Sequence, residues 1–421
     1  DEDGMVEDDS VAVARALAPD LDYLNVIAGT SATASGAAHI VPSMSNSHGY
    51  VAPFAQKVKQ ATGKAVFVAG RINQPQIAEQ VLASGAADMC GMTRAMICDP
   101  EMPNKARAGQ HDDIRACIGC NQACIGHFQL GLSISCIQHP ETGRELQFEL
   151  KTKAVTHRKV LVIGGGPAGL KAAAVAAERG HEVHLHEREA QTGGQAKLAQ
   201  LLPTRAEFGG IITNLTQEAR RYGATIHCRS EVTRELLLSE RPDAVILATG
   251  SRPHMPAFEG EAAQVIHVAD ILSGRATSGA RAVVYDWHGD WGGAGIAEKL
   301  AADGVHVRLA VNAHCAAANI QTYIRFETIA RLHKLGVEVH PWLRLYGGDG
   351  RTAYFIHTPS REAVVMEDVD TIVLNTPNMQ EDGLLSVIES LGIEHHVIGD
   401  ALSPRTAEEA VYEGMKAGMA V

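Results

Sequence analysis

The chain has 421 residues, with 37 Lys and Arg against 49 Asp and Glu, a formal charge of −12. That length suits two or three domains, and the acidic balance argues against a nucleic-acid binder, whose phosphate-tracking surface needs a basic excess. No run approaches the roughly 20 apolar residues of a membrane span, and 41 Gly beside 8 Phe, 8 Tyr and 3 Trp suit an α/β protein and exclude all-β and disordered chains.

The acidic opening DEDGMVEDD reads as the first turns of an interior helix, and Val11 to Leu17 as helical. LDYLNVIAG then reads as a buried strand, Ala52 to Thr62 as a helix, AVFVAG as a strand, Gln74 to Ser84 as a helix and ADMCGMTR as a strand, with a last helix ending near Gly109. Apolar strands alternating with helices predict a parallel sheet covered by helices. The period of about thirty residues fits a (β/α)8 barrel, of which three strands are visible. Arg71 follows AVFVAG, and Arg94 follows ADMCGMT. Such barrels bind ligands at the C-terminal strand ends and phosphates commonly in the last two βα loops. The two arginines, beside Gly70 and Gly91, therefore together suit an FMN phosphate; taken singly, either is more often a surface ion pair.

Residues 111 to 150 break the rhythm. CIGCNQACIGHFQLGLSISC places Cys117, Cys120, Cys124 and Cys136 in the spacing C-x2-C-x3-C-x11-C. Four thiolates are what a [4Fe-4S] cube requires, one per iron; zinc normally uses two separated C-x2-C knuckles, and ordinary thiols are the third reading. Cys90, Cys98, Cys228 and Cys315 are scattered. They read as small buried hydrophobes in a reducing, cytoplasmic setting.

After the polar linker KTKAVTHRK, the strand KVLVIGGG leads into the helix PAGLKAAAVAAERG, so that Gly164, Gly166 and Gly169 form a G-x-G-x-x-G turn. Glu187 closes the next strand, EVHLHE. Tight turn, helix N-terminus and ribose-binding carboxylate are the requirements of a dinucleotide fold. ILATGSRP and VIGDA, with Asp400, suit FAD or a related adenine nucleotide such as ADP. A second βαβ unit begins at ARAVVYD, but in WHGDWGGAGIAEKL the glycines 289, 292, 293 and 295 miss the G-x-G-x-x-G register, and Trp287, His288 and Trp291 add bulk. Asn312 follows VHVRLAV, where an acidic residue is expected for NAD. A productive NAD(P)H site is not expected there. DTIVLNT and HHVIGDA read as a return to the first nucleotide domain.

In this order, DDIRACIGCNQAC, ICDPEM, the GGGPAGL turn and HHVIGDA resemble the trimethylamine dehydrogenase and 2,4-dienoyl-CoA reductase branch of the Old Yellow Enzyme-like flavoproteins, and the resemblance covers essentially the whole chain. It implies the C-terminal part of an FMN-type (β/α)8 TIM barrel over 1–110 and a [4Fe-4S] segment over 111–150. A glutathione-reductase-like FAD or ADP domain is implied over 151–267 and 365–421, with a degenerate NAD(P)-type domain over 268–364. By the resemblance Cys117, Cys120, Cys124 and Cys136 are the cluster ligands, and Arg71 and Arg94 lie at the FMN phosphate. The family's first five or so barrel strands have no counterpart here, so the chain is expected to be a fragment whose main catalytic acid precedes residue 1. His48, Tyr50 and Phe128 are the candidate substrate-site residues that remain, with packing or surface roles as alternatives.

Within the family, dienoyl-CoA reductases take electrons from NADPH, whereas amine dehydrogenases pass them outward from substrate through FMN and cluster to an electron-transferring flavoprotein. The cysteine spacing and GGQAKLAQLLP look like the reductases; the degenerate WHGDWGGAG turn looks like the dehydrogenases and removes the electron source. The expectation is therefore oxidative N-demethylation of a small methylated amine or amino acid, as in dimethylglycine or N-methylproline demethylases, by a homo-oligomer. An NAD(P)H-dependent enoate reductase and an electron-transfer subunit without its own substrate site are the alternatives.

Overall fold

The computed structural model describes residues 4–148 and 152–421. The first three residues of the acidic opening, the end of the expected 111–150 segment and the first linker residue lie outside that range. The first helix is Glu7–Leu17, with Glu7, Asp8 and Asp9 in its first turn, where carboxylates complement the helix dipole.

The chain divides into two units, one formed by residues up to Gly143 together with Gln321–Glu327, the other by the remainder. In the first, β1 (Tyr23–Val26), β2 (Ala65–Ala69) and β3 (Met89–Gly91) pair in parallel in the order β1-β2-β3. Val26, Val66 and Val68 are buried from these strands, Ala14 from the first helix, and Ala55, Val58 and Val81 from the helices between the strands. Burial on the helix-covered face of a parallel sheet is the physical signature of βα repetition. These are three strand-helix steps of the barrel, with helices at Ala52–Thr62 and Pro75–Ala83, and then Thr93–Cys98 and Met102–Arg107.

The second unit holds two five-stranded parallel sheets of Rossmann type. The first runs Glu394–Val397, Ala244–Leu247, Lys159–Ile163, Glu182–Glu187, Thr225–Cys228 across the sheet. The second runs Glu338–His340, His306–Val311, Arg281–Asp286, Thr371–Asn375, Val265–His267. Beside it lies an antiparallel sheet of Leu343–Asp349, Thr352–His357 and Ala363–Met366. HHVIGDA joins the first sheet, His396 opposite Ile246. DTIVLNT does not: Thr371–Asn375 pairs with Arg281–Asp286 on one side and Val265–His267 on the other, so it is a central strand of the second sheet, buried along its whole length. Under the first sheet, Lys171 and Glu218 form a fully enclosed ion pair, Nζ to Oε1 3.0 Å. Among the described residues no helix is long and apolar enough to cross a membrane.

Candidate functional site

In the first unit the three strand ends open on one cavity of about 350 Å³. Its wall includes Ile27 and Ala28 after β1, Gly70 and Arg71 after β2, and Gly91 and Arg94 after β3. Cys117, Gly119, Cys124 and Phe128 complete it from the cysteine segment. A void bounded by C-terminal strand ends and carrying two guanidinium groups is where a barrel of this type would hold a phosphorylated ligand.

Arg71 is 4% exposed and sits in the left-handed region at φ 56°, which a non-glycine residue rarely adopts and which the surrounding contacts must enforce. Its Nε donates to Asn46 O at 3.1 Å, and its NH2 lies 3.2 Å from His48 Nε2. The loop that offers Asn46 is itself fixed by Glu327, whose carboxylate accepts from Ser43 Oγ at 2.6 Å, Ser45 Oγ at 2.5 Å and Asn46 Nδ2 at 3.0 Å. Arg94 NH1 donates to Asn121 Oδ1 at 2.6 Å, and Asn121 Nδ2 donates to Val41 O at 2.7 Å. Gly119, at φ 64°, presses against Arg71: a Cβ there would stand 2.2 Å from the NH1 atom.

His48 and Tyr50 are not among the residues lining this cavity, whereas Phe128 is, with 68% of its surface exposed. His48 meets the cavity through Arg71. Tyr50 Oη lies 3.3 Å from Nδ1 of the lining residue His39; burial, then the nearby Glu327, pushes its phenol pKa up. His39, Asn46, Asn121 and Glu327 carried no sequence signal, because each acts through a partner distant along the chain.

The four motif cysteines come together with backbone donors on each sulfur. The N–H of Gly119 donates to Cys117 Sγ at 3.5 Å, that of Gln122 to Cys120, that of Ile125 to Cys124, and those of Gln138 and His139 to Cys136. Cys124 lies in a π-helical turn, Gln122–Gly126, of the kind frequent at functional sites. Burial pushes the thiols of Cys117, Cys120 and Cys124 up, Cys124 to about 11; a hydrogen bond from Cys98 is the main cause that draws Cys136 down to about 7. Among the described residues no group of three or more His, Cys, Asp or Glu is arranged around a single metal ion. Four thiols, each supplied with N–H donors for a sulfur anion, are the donor set a four-iron cube would take, one thiolate per iron. Cys98 is thus no mere packing residue, and Cys228 is exposed.

In the second unit the first G-x-G-x-x-G turn is drawn tight and open at its tip. A Cβ on Gly169 would stand 2.0 Å from Gly164 O, and one on Gly164 2.2 Å from Ala248 O, so strand, helix and the ATGS segment meet as bare backbone. Gly166, the N-cap of the helix Pro167–Glu178, faces open space within 4 Å of where a Cβ would be. Glu187 Oε2 accepts from Gly165 N and its Oε1 from Glu189 N, both at 2.8 Å. Asp400 Oδ2 accepts from Ser251 Oγ at 2.8 Å and Gln195 Nε2 at 3.0 Å, which brings ILATGSRP and VIGDA together; burial pushes its carboxyl pKa up.

The second turn is filled. Asp286, at the end of its strand, is fully buried, and a Cβ on Gly293 would stand 2.1 Å from its Cγ. One on Gly292 would stand 2.5 Å from Asn375 Oδ1. Asp290 caps the helix Trp291–Ala302, its Oδ1 accepting from Gly292 N at 2.8 Å. The helix N-terminus that would face a pyrophosphate therefore faces two carboxylates and an amide of the chain itself. Burial, then Asp290, pushes the Asp286 carboxyl up to about 7.

Residues 11–113 match the NADH:flavin oxidoreductase / NADH oxidase family, and residues 158–283 the pyridine nucleotide-disulphide oxidoreductase family. The chain is similar to a probable N-methylproline demethylase of Rhizobium meliloti (strain 1021), 37% identical over 290 residues that make up 69% of this chain and 43% of that protein. It is also similar to an NADH oxidase of Thermoanaerobacter brockii, 31% identical over 367 residues, 86% of this chain and 56% of the other. Among solved structures, 6-hydroxypseudooxynicotine amine oxidase from Pseudomonas geniculata N1 superposes with a TM-score of 0.87 at 27% identity, over 98% of this chain and 64% of that one. The chain spans about half the length of the curated relatives it matches.

Proposed function

Since the chain belongs to the trimethylamine dehydrogenase and 2,4-dienoyl-CoA reductase branch of the Old Yellow Enzyme-like flavoproteins, we propose that it is part of an enzyme that oxidatively N-demethylates a small methylated amine or amino acid. In this reading the first-unit cavity takes FMN, with Arg71 and Arg94 on its phosphate and Gly70 and Gly91 giving the backbone room to approach. Cys117, Cys120, Cys124 and Cys136 hold a [4Fe-4S] cluster, and Gly164, Gly166, Gly169, Glu187 and Asp400 hold FAD or ADP. FMN supplies hydride acceptance from an N-methyl carbon, and the cluster supplies one-electron exit. The chain's own residues then have three tasks. Arg71 and Arg94 neutralise the phosphate and set the depth of the ligand. Phe128 covers the mouth and excludes water. Gly119 keeps the cysteine loop against Arg71, so that cavity and cluster segment share a wall.

The observation that carries the direction of electron flow is the filled second turn. With Asp286 and Asn375 packed on Gly293 and Gly292, a dinucleotide pyrophosphate meets carboxylate and amide where it needs backbone N–H groups. This favours outward flow to an electron-transferring flavoprotein. A homo-oligomer in the cytoplasm completes the reading, and the eight free cysteines suit that compartment. The cysteine spacing and the likeness to an NADH oxidase favour the reductase alternative. Anaerobic titration of the full-length protein with N-methylproline or dimethylglycine tests the two. Flavin bleaching with a reduced-cluster EPR signal is expected; inertness to N-methyl amines with turnover on NADPH and an enoyl substrate would replace this reading with the reductase one.

A further inference from the structure

The segment Gln321–Glu327 belongs to the first unit, although in the chain it lies between two strands of the second sheet, His306–Val311 and Glu338–His340. Its last residue, Glu327, sits in the helix Thr322–Lys334. Oε2 of Glu327 accepts from the hydroxyls of Ser43 and Ser45, and Oε1 accepts from Asn46 Nδ2. Bonds to a charged acceptor are roughly twice as strong as neutral ones, so one carboxylate pins this loop at three side chains. The start of the segment is anchored too: Gln321 Nε2 and Thr322 N donate to Gln129 Oε1 at 3.0 Å and 3.2 Å. The loop so held grips Arg71 at three points. Asn46 O accepts from its Nε at 3.1 Å, His48 Nε2 lies 3.2 Å from its NH2, and Gly49 N donates to its carbonyl at 3.2 Å. A guanidinium only donates, so the His48 nitrogen is the acceptor. At φ 56° Arg71 needs such over-determination to stay where it is.

We propose that Glu327 is a positioning residue for the FMN phosphate: by fixing the loop of Ser43, Ser45 and Asn46 it holds the Arg71 guanidinium at the cavity wall before the ligand arrives. The inference rests on reading that cavity as the FMN site, with Arg71 on the phosphate. A side chain ordered in advance loses less conformational freedom on binding than one the ligand must order, and the difference appears as affinity. That gain falls on the phosphate, because the ribityl chain and oxidised ring system of the flavin carry no charge for Arg71 to meet. Glu327 therefore acts on the discrimination between FMN and riboflavin, which differ only in the phosphate. A residue that merely supported the fold would move both affinities together.

The test titrates flavin-depleted full-length protein with FMN and, separately, with riboflavin, binding being read from flavin fluorescence, for wild type, Glu327→Ala and Glu327→Gln. Wild type should bind FMN more tightly than riboflavin. In the alanine variant the FMN dissociation constant should rise about tenfold, the worth of one hydrogen bond to a charged group, while that of riboflavin stays within about twofold. The glutamine variant keeps the length and one acceptor and should fall between alanine and wild type; it carries the test if the alanine variant does not fold. An unchanged preference for FMN over riboflavin in whichever variant folds overturns the proposal, whether the two affinities hold or fall together, as does failure of both variants to fold. A wild-type protein that binds FMN no more tightly than riboflavin overturns instead the phosphate reading on which it rests.

Discussion

Asp286 links the filled second turn to a measurable pH dependence. Its carboxyl is buried, with a pKa raised to about 7 against 3.8 for an ordinary Asp side chain. Oδ1 accepts from Asn375 Nδ2 at 2.8 Å and Gly289 N at 3.0 Å, while Oδ2 has no hydrogen-bond partner among the described residues. Between those two pKa values the folded chain holds a proton that the unfolded chain has released, so stability falls as pH rises through this window and levels off above about 7. At about 1.4 kcal/mol per pH unit the loss approaches about 4 kcal/mol over the whole window and about 3 kcal/mol between pH 5 and 8. Asp286→Asn removes that dependence, at a cost of about 1–3 kcal/mol for the buried amide donor left at the Oδ2 position. The variant should therefore be less stable than wild type at pH 5 and equal or more stable at pH 8. All three tryptophans, Trp287, Trp291 and Trp342, lie in this part of the chain, so urea unfolding monitored by tryptophan fluorescence reads the relevant region directly. Parallel pH profiles for the two proteins would refute the reasoning.

Gly166→Asp places a carboxylate at the open tip of the first turn, where the dipole should serve an anionic ligand; bound adenine nucleotide should be lost, by extraction and chromatography, with unfolding midpoints unchanged. Gly293→Ala meets the Asp286 carboxylate and should destabilise by about 1–3 kcal/mol, visible in the same tryptophan signal. Arg94→Ala should cut FMN retention at least tenfold, as read by flavin fluorescence after desalting. Lys171→Met leaves Glu218 buried without its cation and should cost about 3–5 kcal/mol, most of it recovered when Glu218→Leu is added, as urea unfolding will show.

Where a feature is written in adjacent residues, reading it from the chain works well. The turn Gly164-x-Gly166-x-x-Gly169 is local in its glycine spacing, although Ala248 of the distant ATGS segment also closes on it. The C-x2-C-x3-C run is local as well, and the arginines at the ends of apolar strands, Arg71 and Arg94, line one cavity. Features made by distant segments are silent. Glu327 fixes the loop of Ser43, Ser45 and Asn46 from a helix about 280 residues away, and nothing in its neighbourhood announces that. The off-register glycines of the second turn are visible in sequence, yet what fills the space depends on Asn375, brought there by the pairing of Thr371–Asn375 with Arg281–Asp286. That five-residue apolar strand carries no address of its own, which is why DTIVLNT reads plausibly into the wrong sheet. Cys98 escaped for a similar reason: a single buried thiol looks like packing until its partner is known.

The shared wall of the first-unit cavity has a consequence for assembly. Arg71 touches the cysteine loop at Gly119 on one side and the cavity on the other, so under the proposed function FMN and cluster would share one scaffold. Filling one place would then stiffen the loop that shapes the other and couple the two acquisitions thermodynamically. Preparations starved of iron should then also be poor in FMN, and a partially loaded population should sort toward empty and full molecules instead of a random mixture.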